Sequence, residues 1–212
     1  MMHGFHEGGG EQTFMSATTW GVVIFLALVG LQRLLETFKR RDTVAGRLQM
    51  RWSFYAFFIL HTVILVGSLV EYLLVRRPLS PVWTGLGLAL FGASLIVRNV
   101  AIRTLGRFWS LHVEIRSEHQ LVREGIYNVV RHPAYAAITL EVLSIPPTVN
   151  AWWTLLFAAA TYVPLLVVRL RHEERALVEK FGDAYRVYQR EVGALVPKLS
   201  ALCPCCGQRS SS

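Results

Sequence analysis

Residues 53–75 read SFYAFFILHTVILVGSLVEYLLV, a run in which only His61 and Glu71 can carry charge near neutral pH. As a helix rising 1.5 Å per residue it would be about 34 Å long, enough to cross a hydrocarbon layer about 30 Å thick. Two more such runs flank it. One extends from about Ala17 to Leu35, with Trp20 where an interfacial aromatic belongs. The other extends from about Val82 to Ile102, after a turn, Arg76 to Pro81, whose Pro78 and Pro81 break helix. A polar stretch, 103–131, follows. A further apolar stretch from about Ala134 to Val168 is interrupted at Ile145-Pro146-Pro147-Thr148-Val149-Asn150. It is too long for one span and short for two, so a helical hairpin with a short or tilted first arm is expected. A charged amphipathic helix is expected from about Arg169 to Val192. The expected fold is therefore an all-α integral membrane protein. It has about five transmembrane helices, the last two forming a hairpin, and a C-terminal amphipathic helix.

Composition agrees. Of 212 residues, 53% are hydrophobic and 17% charged, whereas soluble domains carry about 25% charged residues. The net charge of +8 raises nucleic acid as a partner. Its basic residues cluster beside long apolar runs, which favours anionic lipid instead. Lys39, Arg40, Arg41, Arg47 and Arg51 follow the first run, and Arg103, Arg107, Arg116, Arg123 and Arg131 follow the third. With five crossings both groups face the cytoplasm and the N-terminus lies outside, against the weaker pull of Arg76 and Arg77. Four regions are expected: a polar segment 1–16, three spans over 17–102, a functional region over 103–199, and a disordered tail over 200–212. The N-terminal segment lacks the pattern of a cleaved signal. Cys203, Cys205 and Cys206 lie in the tail, and C-x-C-C lacks the paired halves of a zinc site. His3 and His6 are too few to argue a metal, and none is expected.

The stretch Leu121 to Tyr135, LVREGIYNVVRHPAY, holds the chemistry. It reads as a loop, a turn at Gly125 and a helix start at Pro133, where a missing N–H costs nothing. Free amides and the positive helix end beside Arg131 and His132 would suit a carboxylate at the membrane surface. An interfacial cap with a basic collar is the plainer reading of the same residues. Downstream, Arg169 and Glu173 lie four apart on one helix face, with Glu174 beside them. Glu141 and His61 fall within apolar runs. Glu141 is either a substrate contact or a helix–helix hydrogen bonder, and His61 is read as a buried hydrogen bonder. The small residues Gly85, Gly87, Ala89, Gly92 and Ala93 suggest tight helix packing.

The pattern G-x-Y-x-x-x-R-H-P-x-Y at Gly125, Tyr127, Arg131, His132, Pro133 and Tyr135 resembles the isoprenylcysteine carboxyl methyltransferase family and related membrane methyltransferases, including phospholipid N-methyltransferases. His119 ahead of Leu121-Val122 fits it, as do Asn150 and then Arg169, Glu173, Glu174, Leu177, Phe181, Gly182, Tyr185 and Tyr188. The resemblance covers about residues 103–197. It implies a methyltransferase that uses S-adenosyl-L-methionine without a Rossmann sheet, and no G-x-G-x-x-G occurs here. By the same resemblance His119, Leu121, Val122, Gly125, Tyr127, Arg131, His132, Pro133 and Tyr135 would hold the cofactor. Arg169, Glu173 and Glu174 would be catalytic, and Arg169, Glu174, Asn150 and Glu141 would meet the substrate. That substrate would be lipophilic and enter from the bilayer. Carboxyl O-methylation of an isoprenylcysteine is the expected reaction. Phospholipid N-methylation and noncatalytic lipid binding are the alternatives.

Overall fold

A computed structural model of the protein describes residues 16–38, 47–49, 51–106, 113–115 and 121–198. The order is α1 (Ala17–Phe38), β1 (Arg47–Gln49), α2 (Arg51–Val75), α3 (Pro81–Leu105), β2 (Val113–Ile115), a 3-10 turn (Gly125–Asn128), α4 (Pro133–Thr148), α5 (Trp152–Phe181) and α6 (Asp183–Glu191). The strands pair antiparallel, Leu48 opposite Glu114, and add one short ribbon to an otherwise helical molecule.

The expected spans and the observed helices differ in two places. Among the described residues four helices, α1, α2, α3 and α5, are long and apolar enough to cross a membrane. The fifth expected crossing, α4, has 16 residues, about 24 Å of rise. Pro146 and Pro147 occupy its last turn, and Asn150 then reverses the chain at φ +57°. The second difference concerns Arg169, where a new helix was expected. Instead α5 runs unbroken for 30 residues through Pro164 and Arg169 to Phe181. Hydropathy changes at Arg169 because the surroundings change, but the backbone ladder continues. The break comes at Gly182, whose φ of +56° is left-handed and suits a residue without Cβ.

Packing sets where α4 sits. At Gly87 of α3 a Cβ would collide with the Thr148 hydroxyl and come within 3.0 Å of the Ser144 carbonyl. The two helices therefore touch backbone to side chain, and the Thr84 hydroxyl donates to the Thr148 carbonyl at 2.9 Å. Gly85 and Gly92 meet nothing within 4 Å, so close approach belongs to Gly87 and not to the whole small-residue stripe. Ile64, Val142, Ala158 and Tyr162 join α2, α4 and α5 in one buried cluster, and Val22, Leu26 and Val29 bring α1 against Ile145 and Val149. At one end of the bundle, Glu71 of α2 accepts from the Trp153 and Thr154 amides at 3.1 and 2.8 Å, which caps α5. The opposite end gathers the start of α4 and the polar end of α5.

Candidate functional site

Gly125 opens the 3-10 turn at φ +55°, with the Thr104 side chain 3.4 Å from where a Cβ would stand. The turn aims Tyr127 inward, against Ala101, Val122 and Ala134. Leu121 faces the other way, into Leu177, Phe181, Tyr185 and Tyr188. The 121–122 pair thus ties the loop to both α3 and the α5–α6 corner. The Tyr188 hydroxyl donates to the Tyr127 carbonyl. Burial raises the phenols of Tyr127 and Tyr185 well above their ordinary value and pushes Tyr188 up to about 12. All three are neutral donors at physiological pH.

Pro133 is the first residue of α4, as its sequence context predicts. The amides before it are not free. Those of Arg131 and His132 donate to the Gly193 and Ala194 carbonyls at 2.8 and 2.9 Å, and Val130 bridges Gly193. The segment after α6 is therefore a strap across the approach to α4. The free amides expected at the helix start are thus not those of Arg131 and His132 themselves. The helix ladder starts with the Ala136 amide on the His132 carbonyl at 3.0 Å, so Ala134 and Tyr135 precede it.

Around this start the charged groups form a connected ring. Arg131 donates to Glu174 Oε1 through Nε at 3.0 Å and Nη2 at 2.6 Å, and to the carbonyls of Gln189 and Val192 through Nη1. His132 Nε2 lies 3.3 Å from the same Glu174 oxygen, and Gln189 donates to the other at 3.1 Å. The His132 ring stacks on Tyr135 at 5.7 Å. The Tyr135 hydroxyl donates to Glu173 and accepts from Arg169 Nε at 2.9 Å. Arg169 also reaches Ser53 at 3.3 Å, with Phe57 and Tyr135 rings 5.5 and 5.4 Å from its guanidinium carbon.

Leu121, Val122, Gly125, Tyr127, Arg131, His132, Pro133, Tyr135, Arg169, Glu173 and Glu174 therefore gather at one end of the bundle. Asn150 does not join them. It lies at the far end of α4 and donates to the Pro78 carbonyl at 2.6 Å, locking two turns together. Glu141 stands apart too, paired with Arg98 on α3. His119 and the three cysteines lie outside the described residues. Among the described residues no group of His, Cys, Asp and Glu could hold a metal ion. Ser53, Phe57, Gln189 and the strap were not anticipated. Ser53 and Phe57 belong to an apolar run, and the strap shows no periodicity.

The ring can do two things chemically. Arg131, His132 and Arg169 offer donors to an anion, Glu173 and Glu174 balance a cation, and the Tyr135 face lies beside both.

The isoprenylcysteine carboxyl methyltransferase (ICMT) family model matches residues 85–179. Uncharacterized protein YpbQ of Bacillus subtilis (strain 168) is 29% identical over 162 residues, covering 74% of this chain and 96% of that protein. Protein-S-isoprenylcysteine O-methyltransferase B of Arabidopsis thaliana is 32% identical over 114 residues, 52% of this chain and 57% of that one. The solved structure of the eukaryotic intramembrane Ras methyltransferase ICMT superposes with a TM-score of 0.57 at 23% identity, over 68% of this chain and 53% of that chain, and so shares the fold. The chain thus spans a little more than half the length of the two named methyltransferases.

Proposed function

We propose that this chain, whose residues 85–179 match the isoprenylcysteine carboxyl methyltransferase family model, is a member of that family: a membrane-embedded methyltransferase that uses S-adenosyl-L-methionine to methylate the carboxylate of an isoprenylcysteine or a similar lipophilic acid. The observation that carries this reading is the convergence of Arg131–Tyr135 with Arg169–Glu174 at one bundle end.

The donor set fits the cofactor. A sulfonium amino acid nucleoside needs partners for a carboxylate, an ammonium, a sulfonium and an adenine. The chain offers Arg131 and His132 for the first and Glu173 and Glu174 for the cations. The Tyr135 face suits the sulfonium. The Tyr185 hydroxyl is buried among these groups without a partner among the described residues, a cost that a polar ligand would relieve. Bound there, the cofactor supplies an electrophilic methyl group. The chain supplies position, charge and exclusion of water. Arg169 is placed to orient an acceptor carboxylate, being planar and able to donate in a fork. Phe57 and Tyr135 flank it and hold its plane. No general base is needed, since a carboxylate acceptor is already ionised at pH 7. The acceptor's tail would lie in the bilayer and its head at the cytoplasmic face. Residues 103–199, with Ser53 and Phe57 added from α2, form the catalytic region in this reading.

N-methylation of a phospholipid amine is the second reading. The Glu173 and Glu174 carboxylates favour it, since they would draw a cationic head. Purified protein with methyl-labelled cofactor, offered farnesylcysteine or phosphatidylethanolamine, separates the two. Base-labile label in farnesylcysteine alone is the expected result. Label in the ethanolamine lipid alone overturns carboxyl methylation. Absence of S-adenosylhomocysteine binding by calorimetry overturns the enzyme.

A further inference from the structure

Below the ring lies a second polar cluster that methyl transfer does not use. Its core is Arg98 of α3, 1% exposed, paired with Glu141 of α4, which is fully buried. Arg98 Nη2 also lies 3.0 Å from Glu36 of α1, and Glu36 lies 4.0 Å from Arg33. Gln32 shares this face, four residues before Glu36. His61 of α2, 3% exposed, is within electrostatic reach of Arg33 and Arg98.

Much of this cluster has no partner. Both His61 ring nitrogens, both Gln32 amide atoms, Glu141 Oε1 and Arg98 Nε are buried without a hydrogen bond among the described residues. Nearly all buried polar atoms in folded proteins are hydrogen-bonded, and each exception is destabilising. Six such atoms from four helices, set around three linked ion pairs within an apolar bundle, indicate a ligand site and not a packing defect.

The chemistry of the site narrows the ligand. Two guanidinium groups and two carboxylates cancel formally, so a ligand of net charge would meet no compensating field. The unpartnered atoms include both donors and acceptors. The way in is lateral. The Arg33 and Glu36 side chains are 16% and 25% exposed, beside the exposed Leu31, Leu34 and Leu35 of the lipid-facing side of α1. Glu36 stands two residues before the end of α1, near headgroup depth. We propose that the outer, accessible part of this cluster binds the zwitterionic headgroup of a bilayer phospholipid, its phosphate toward Arg33 and its ammonium toward Glu36, with the Gln32 amide and the His61 ring as the polar partners beneath. Glu141 lies six residues past Tyr135, about 9 Å along α4, so this lipid is a bound neighbour of the ring and not the methyl acceptor.

Native mass spectrometry of the full chain, released from nanodiscs of phosphatidylethanolamine mixed equally with phosphatidylglycerol, tests the site. One retained ethanolamine lipid per chain is expected, in about tenfold excess over the glycerol lipid, with no methyl label. The pair Gln32→Leu with His61→Leu should lower retention about tenfold, the size expected for losing one or two net hydrogen bonds. His61→Gln should stay within about threefold of the parent, and S-adenosylhomocysteine affinity should hold in each variant. If the leucine pair does not fold, the parent's lipid selectivity alone decides. Equal retention of both lipids, no retained lipid, or full retention by the leucine pair each overturn the proposal. Failure here leaves the methyltransferase reading standing, because cofactor binding is read separately.

Discussion

Two sets of charges meet α4, one at its start and one at its middle. The ring at its start is partly open: the Arg131 and Glu174 side chains are 8% and 19% exposed, and both touch loop or strap atoms. Two turns further on, the Arg98–Glu141 pair is sealed, at 2% and 0%. Groups in the ring have several partners each, so one can be exchanged for a ligand at modest cost. The inner pair has no such freedom, because removing either member leaves a charge in an apolar bundle. The ring is therefore suited to chemistry, and the pair to holding the bundle together.

The sharpest way to break this contrast is Glu141→Ala. It should destabilise the protein by about 3–5 kcal/mol, the usual cost of stranding a buried charge, although Glu36 shields part of it. Thermal unfolding in detergent reads the loss. A variant as stable as the parent would mean that the pair carries no stability. Next in size is Arg131→Ala. It removes two bonds to Glu174, one to the Gln189 carbonyl of α6 and one to the Val192 carbonyl of the strap. Affinity for S-adenosylhomocysteine should fall about 100-fold, in the range for losing charged hydrogen bonds. An unchanged affinity would take Arg131 out of the cofactor site.

Arg169→Lys distinguishes roles within the ring. Lysine keeps the charge but loses the planar fork that spans Tyr135 and Ser53. kcat/KM for the acceptor should drop about 30-fold while cofactor affinity stays within about threefold. Equal losses in both would make Arg169 a general support of the ring instead of an acceptor-orienting group.

How far these regions were legible follows from what each is made of. The three N-terminal spans depend on hydropathy, which is a local property, and α1, α2 and α3 begin and end within about three residues of their apolar runs. Pro133 marks the α4 start for a stereochemical reason that needs no partner. The α5 boundary failed because a change from apolar to charged residues at Arg169 reports a change of surroundings, to which intrahelical hydrogen bonds are indifferent. The strap pairs residues sixty positions apart, beyond any local pattern. Arg98 left a trace that could have been read. A buried Glu141 requires a cation, and Arg98 is the charged residue within the third apolar run, near its end.

The smallest expected effect comes from a polar group in neither set. Glu71 sits at the other end of the bundle and accepts from the Trp153 and Thr154 amides and the Thr154 hydroxyl, with Arg77 at 3.7 Å. Its work is to complete the first turn of α5, so it should affect stability without touching the ring. Glu71→Gln keeps the shape and one acceptor oxygen, but its amide nitrogen cannot accept from the capped N–H groups. The cost should be about 1 kcal/mol, the typical worth of a helix cap, and Tm should fall by about 2–4 °C. Cofactor affinity and kcat should not change. Were kcat to fall while Tm held, the two ends of α5 would be coupled along its 30 residues. The ring would then depend on the far face of the bundle, and the division of α4 into an exchangeable part and a fixed part would no longer describe how the molecule works.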